Sequence, residues 1–277
     1  MGLFSVCRGQ KRVEEAEEPQ AAELIGPDSV LIERYFNEEE LRHYEALLAD
    51  EEQRKSEVLA PKRWQAGEFL GQGSFGRVIF AANMDTGELF AVKQIPISGF
   101  SYETVHERVE EIQQEVDILS HLNHKNIVRY MGSSRDEQNL NIFLEYVAGG
   151  SIASLLGKYG KFNESLVRVY TRQIVEGLEY LHFHNIIHRD IKGANVLVNN
   201  EGVCKLADFG AAKKIYGLTD YTQFKSLRGT INWMAPEVIK QEGHGRYADI
   251  WSLGCTVLEM LTAKPPWHHK TNPVSAT

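Results

Sequence analysis

Cysteine is scarce in this chain of 277 residues, with only Cys7, Cys204 and Cys255. Their wide spacing makes neither a disulfide framework nor a zinc-ligand pattern, which points to a reducing, cytoplasmic setting. No run of about 18 apolar residues is present, so no membrane-spanning helix is expected. The segment Gly2 to Cys7 is too short for the apolar core of a secretory signal. Internal repeats are absent. Excess positive charge is missing too: the net charge is −8, and no basic stripe suggests nucleic acid as a partner. That charge is unevenly placed. Residues 1–60 hold 15 acidic and 7 basic side chains, whereas residues 61–277 hold 23 of each.

The remaining composition, 43% hydrophobic, suffices for one large core or two lobes. Residues 1–28 contain Glu14-Glu15, Glu17-Glu18 and Pro19 and few aromatics, and are expected to be disordered. Residues 29–63 are expected to be an extension, helical from Ser29 to about Leu59, in which Leu41, Tyr44 and Leu48 recur at three- and four-residue steps. Glu38-Glu39-Glu40 sits early, where acids suit a helix N-terminus, and Pro61 ends the pattern. Three readings of this helix stand: packing on the neighbouring lobe, a solvated linker, or a partner-docking segment. The start Met1-Gly2-Leu3-Phe4-Ser5-Val6-Cys7 invites a lipidation reading, but the myristoylation pattern wants Ser or Thr where Val6 stands. An ordinary frayed terminus is the simpler expectation, without stable membrane insertion.

From Trp64 to Pro96 the pattern is strand-rich, with a turn at Met84-Asp85-Thr86-Gly87. Tyr102 to His121 reads as helix and Leu140 to Tyr146 as strand. After Gly149-Gly150 the chain is mostly helical. The order predicts an α+β enzyme with a β-rich lobe over 64–147 followed by an α-rich lobe over 148–277.

His188-Arg189-Asp190-Ile191-Lys192-Gly193-Ala194-Asn195, followed by Asp208-Phe209-Gly210, places a carboxylate base and two metal-binding side chains in a short stretch. That is equipment for moving a phosphoryl group onto a hydroxyl. Between them, Val196-Leu197-Val198, a turn at Asn199-Asn200-Glu201-Gly202 and Val203-Cys204-Lys205-Leu206 predict a β-hairpin that returns Asp208 towards Asn195. Upstream, Gly71-Gln72-Gly73-Ser74-Phe75-Gly76 is a G-x-G-x-x-G. A dinucleotide fingerprint would need a following helix; Arg77-Val78-Ile79-Phe80-Ala81 is a strand instead. The loop therefore joins two strands, and its glycines let backbone amides approach phosphate oxygens. Lys93, in Ala91-Val92-Lys93, lies on the next strand. Of the glutamates on the helix that follows, Glu115 sits with Ile118 and Leu119 on the core side, whereas Glu110 and Glu111 are read as a solvated face.

These motifs resemble those of the protein kinases, over about residues 64–277. The resemblance implies a two-lobed kinase fold, ATP and Mg²⁺. It makes Asp190 the group that accepts or orients the substrate hydroxyl proton and Lys192 a contact of the transferred phosphoryl group. Asn195 and Asp208 become the Mg²⁺ ligands, and Lys93 and Glu115 the ion pair at the α and β phosphates. The nucleotide would be held by Leu70, Gly71, Gln72, Gly73, Ser74, Phe75 and Gly76. Its adenine would lie between Val78 and Ala91 above and Leu197 below, with Leu144 behind and backbone groups of Glu145 and Val147 at its edge. Lys192 and Gly229-Thr230 resemble the serine/threonine type. Asp208 to Glu237 bounds an activation segment with Thr219, Thr222 and Ser226 as candidate phosphosites, Ser226 foremost, and Arg189 as the partner of its phosphate. Asp249 would hold the backbone of the His188-Arg189 turn, making His188 structural. His268-His269 is read as a surface pair and not as a metal site.

Trp64 to Gly71, Asn126 to Tyr130 and Gly229 to Glu237 are most similar to mitogen-activated protein kinase kinase kinases of plant and protist type. That implies a MAP kinase kinase as protein substrate and an upstream activating kinase. The family continues for several helices beyond Thr277, one bearing an arginine for Glu237, so a fragment with an incomplete large lobe is expected. Two function classes follow: an active kinase, or a truncated non-catalytic module that binds nucleotide or a partner.

Overall fold

The computed structural model describes residues 60–73, 76–96, 114–136, 138–215, 229–242 and 245–269. The chain divides into compact units Met1–Arg54 and Lys55–Thr277, and every described residue lies in the second. The acidic start, the lipidation motif, the helix expected up to residue 59, Ser74, Phe75 and the candidate phosphosites Thr219, Thr222 and Ser226 lie outside the described residues.

Strands β1 (Trp64–Gln72), β2 (Arg77–Asn83), β3 (Leu89–Pro96), β4 (Tyr130–Arg135) and β5 (Asn139–Glu145) form one antiparallel sheet in the order β1-β2-β3-β5-β4. Asn83 starts the β2–β3 turn: its Oδ1 accepts from the backbone N–H groups of Asp85 (2.9 Å) and Thr86 (3.3 Å). β3 is buried along six consecutive residues, so its two faces do different work. Phe90 and Val92 join Ile79, Ala81 and Phe143 in one core, where the Phe90 and Phe143 rings meet edge to face at 5.5 Å. Ala91 and Lys93 face the other way, and the register sets Phe80 opposite Ala91 and Val78 opposite Lys93. On that side Ile95 and Ile142 pack against Val116 of helix α1, seen over 114–120, whose Ile118 and Leu119 are buried as expected.

The second lobe is built on α2 (Ile152–Tyr159), α3 (Glu164–Phe183), the short α4 (Pro236–Ile239) and α5 (Arg246–Thr262). Asn163 caps α3 by accepting from Leu166 N–H at 2.9 Å. The helix buries Val167, Tyr170, Ile174, Leu178 and Leu181, a stripe at three- and four-residue steps. The expected hairpin is present as β7 (Val196–Val198) and β8 (Cys204–Leu206), its turn held by Asn199 Oδ1, which accepts from Glu201 and Val203 N–H. β4 and the two-residue ladder of β6 (Ile186–Ile187) with β9 (Lys213–Lys214) have no counterpart in the sequence reading. Gly132-Ser133-Ser134 lacks apolar alternation, and a two-residue strand has no period. The lobes meet at Val128 and Leu206, where Val128 N–H donates to Leu206 O (2.9 Å) and Leu206 N–H to Asn126 O (2.8 Å).

Candidate active site

A cavity of about 410 Å³ lies between the sheet and the second lobe. Val78 and Ala91 line it from the sheet, Leu197 from β7, and Leu144, Glu145 and Val147 from the end of β5 and the connection after it. Leu70, Gly71, Gln72 and Gly73 form its lip. Glu145 N–H is already donated to Arg129 O at 2.9 Å, so any backbone contact from this residue falls to its carbonyl. Gly76 differs from expectation, because it does not line the cavity. A Cβ there would lie 2.0 Å from Gln94 O, so glycine serves the close approach of the loop end to β3. Gly73 N–H is likewise used inside the loop, donating to Gly76 O at 2.7 Å.

At the inner end Lys93 Nζ bonds Glu115 Oε1 at 2.6 Å and Asp208 Oδ1 at 2.9 Å. Lys93 and Glu115 are 2% and 3% exposed. Burial by itself would lower the lysine pKa. The two carboxylates outweigh it and hold the ammonium above its ordinary value. Burial pushes the Glu115 carboxyl up, with Lys93 opposing. Asp208, two residues past the end of β8, sits in the left-handed region at φ 60°.

Asp190 is the second focus. Lys192 Nζ donates to its Oδ2 at 2.7 Å, Thr230 Oγ1 to its Oδ1 at 2.9 Å and Asn195 Nδ2 to its Oδ2 at 2.8 Å. Lys192 Nζ also donates to Thr230 Oγ1 at 2.6 Å. The loop that carries these groups is held from below. Arg189 adopts φ 68°, and Asp249, fully buried on α5, accepts from His188 N–H (2.9 Å), Arg189 N–H (2.8 Å) and His182 Nε2–H (2.8 Å). Burial would raise the Asp249 pKa; His182, the nearby His188 and the Arg189 amide together hold it below the ordinary value. His188 donates from Nε2 to Ala207 O at 3.1 Å, as fits a structural residue.

Asn195 and Asp208 come together through the backbone, Ala207 N–H donating to Asn195 O at 2.9 Å. Asn195 uses Nδ2 for both of its bonds to Asp190, leaving its amide oxygen for a cation. A carboxylate and an amide oxygen beside a cavity suit a hard divalent ion such as Mg²⁺. Among the described residues no cluster of three or more His, Cys, Asp or Glu could bind a metal ion, and His268 and His269 are exposed. No helix among the described residues is long and apolar enough to cross a membrane.

Sequence reasoning passed over Glu259 and Trp233, which join this site from α5 and from the turn before α4; Trp233 Nε1–H donates to Glu259 at 3.1 Å. A signal existed. Asp249, Ser252, Thr256 and Glu259 recur at helical steps and all are buried, an unusual polarity for an inward stripe.

The profile of the protein kinase domain matches residues 64–276. The chain is 52% identical over 222 residues to mitogen-activated protein kinase kinase kinase 2 of Arabidopsis thaliana, covering 79% of this chain and 34% of that relative. It is 52% identical over 210 residues to mitogen-activated protein kinase kinase kinase A of Dictyostelium discoideum (76% and 22%). Against mitogen-activated protein kinase kinase kinase 3 of Homo sapiens it is 51% identical over 211 residues (75% and 34%). The chain therefore spans about a third or less of the length of these relatives.

Proposed function

The chain belongs to the protein kinase family, and on that premise we propose that it is a serine/threonine kinase acting as a MAP kinase kinase kinase. It would transfer the γ-phosphoryl group of ATP to Ser or Thr of a MAP kinase kinase, itself under an upstream activating kinase, in the cytoplasm. The observation that carries this reading is the double ion pair of Lys93 with Glu115 and Asp208 at the inner end of the cavity. An ammonium held by both lobes is placed for a nucleotide polyphosphate. The reading of the chain as a non-catalytic module is the less favoured one, because the residue types expected for the phosphate, base and cation roles are all present.

In this proposal the substrate hydroxyl oxygen attacks the γ-phosphorus, the bond to the β,γ-bridging oxygen breaks, and ADP leaves with that electron pair. Asp190 orients the hydroxyl and takes its proton. Lys192 balances charge on the transferred phosphoryl group, and Lys192 with Thr230, which it bonds, resembles the serine/threonine type. Asn195 and Asp208 would hold Mg²⁺, which would supply neutralisation of phosphate charge. We take residues 64–147 and 148–277 as the two lobes, and 1–28 and 29–63 as extensions outside them. Ser226, four residues before Thr230, remains the favoured phosphosite over Thr222 and Thr219, with Arg189 as its charge partner.

The test is phosphoryl transfer from ATP·Mg²⁺ to a generic basic protein and to a catalytically dead MAP kinase kinase. The chain is assayed beside Lys93→Met, and phosphosites are mapped by mass spectrometry. Expected is transfer to Ser or Thr that falls by at least about a hundredfold in the variant. Equal turnover by the variant would remove the reading.

A further inference from the structure

Two acids of α5 are buried, Asp249 and Glu259, and only the first has a task so far. Glu259 Oε2 accepts two hydrogen bonds at once, from the backbone N–H of Gly193 at 2.9 Å and from Nε1–H of Trp233 at 3.1 Å. The fit is close: a Cβ on Gly193 would lie 2.7 Å from Glu259 Oε1. Only a residue without a side chain, and with an N–H, can sit there and donate. Burial pushes the Glu259 carboxyl up despite these bonds and the nearby Lys192 charge. The ionised group is therefore costly where it stands, and what it holds becomes the question.

It holds two backbone segments. Gly193 directly follows Lys192. Trp233 closes the turn that starts at Thr230, its N–H donating to Thr230 O at 2.8 Å. Lys192 donates to Asp190 Oδ2, Thr230 donates to Asp190 Oδ1, and Lys192 also donates to Thr230. Glu259 itself is only 7% exposed. We infer that Glu259 is a positioning residue, which ties Gly193 and Trp233 to one oxygen and thereby holds Lys192 and Thr230 against Asp190. This inference rests on the phosphotransferase reading. The single acceptor atom fixes the distance between two loops, and displacement of a catalytic group by about 1 Å can cost a hundredfold in rate.

The test compares Glu259→Gln, Glu259→Leu and Trp233→Phe in the full chain, well below their melting temperatures. Glutamine offers an oxygen to both donors in nearly the same shape; leucine keeps volume and offers none. Expected is a kcat within about threefold of the parent for Glu259→Gln, a fall of roughly tenfold to a hundredfold for Glu259→Leu, and a smaller fall for Trp233→Phe, with KM for ATP unchanged. Amide exchange across residues 189–196 should quicken in Glu259→Leu and not in Glu259→Gln. A parent-like kcat in Glu259→Leu overturns the inference. So does an equal loss in Glu259→Gln, which would make charge the essential property, or an effect confined to KM for the protein substrate, which would make Glu259 a substrate contact. Should Glu259→Leu fail to fold, Trp233→Phe decides, and a parent-like kcat there is equally damaging. A parent chain without Lys93-dependent transfer overturns the phosphotransferase reading instead. The exchange measurement, which needs no turnover, separates that result from failure of the tether.

Discussion

Asp249 and Glu259 lie three turns apart on one helix, and burial acts on both, yet their pKa values move in opposite directions. Asp249 receives two backbone amides and a histidine, and its folded pKa falls below the ordinary value. Its stabilising contribution is therefore present above the unfolded pKa of about 4 and is lost as pH falls through the depressed folded value. Glu259 is raised. The preference for its protonated form favours the fold below the unfolded pKa and is lost as pH rises through the folded one. Asp249→Asn faces its donors with an amide that cannot accept from all of them. It is expected to lose about 3–5 kcal/mol near neutral pH and to show a shallower fall in stability below about pH 4, as measured by urea unfolding from pH 3 to 7. A parent-like acid limb in that variant would show that other groups carry the pH dependence.

Elements report on a different kind of physics, that of ends and close approaches. α3 is the long helix on which the hairpin β7–β8 rests, and it starts at a side-chain cap from Asn163, which does not line the cavity. Asn163→Ala is expected to lower stability by about 1 kcal/mol while leaving KM for ATP unchanged. For a domain of this size that is a fall in Tm of roughly 2–4 °C, readable by calorimetry. A larger loss would mean that the loop before α3 also moves. Gly149 behaves differently. A Cβ there would meet Val198 O at 2.3 Å, so the segment after β5 lies directly on β7 and leaves no room for a side chain. β4 holds its place by pairing with β5, through Ser133 opposite Ile142 and Arg135 opposite Leu140, although its own residues carry little strand preference.

At the scale of the molecule, α5 carries several exposed apolar side chains among the described residues. Tyr247, Ile250, Leu258 and Leu261 are exposed there at helical steps, and Trp251 is 38% exposed beside them. Contiguous apolar surface of this kind favours self-association. The double change Ile250→Lys and Leu258→Lys is expected to reduce light scattering of the purified chain at high concentration without altering its secondary structure by circular dichroism. Unchanged scattering would place the sticky surface elsewhere. Among the described residues, ion pairs and hydrogen bonds tie residues 64–147 to 148–277 at several points. Lys93 to Asp208 closes the cavity at the inner end, and Lys205 to Glu145, at 3.0 Å, ties β8 to the end of β5.

The lobe order, the strand–loop–strand around Gly71 to Gly76, the β7–β8 hairpin and the groups Lys93, Glu115, Asp190, Asn195 and Asp208 were all legible in the amino-acid order. Each depends on short-range spacing or on residue types with few alternative uses. The kinase resemblance supplied the expectation of a glutamate partner for Lys93, and the helical period picked Glu115, because Ile118 and Leu119 had to face the core. What the order did not disclose are contacts between segments far apart in the chain. Nothing local marks Gly193 as a donor to Glu259, 66 residues away, or Trp233 as its companion. Nothing local shows that Gly76 packs against Gln94 in place of facing the cavity. Local spacing encodes which groups a segment can offer. Which of those groups meet, and which backbone must be glycine for them to meet, depends on how distant segments pack, and that geometry arises only when the chain is folded.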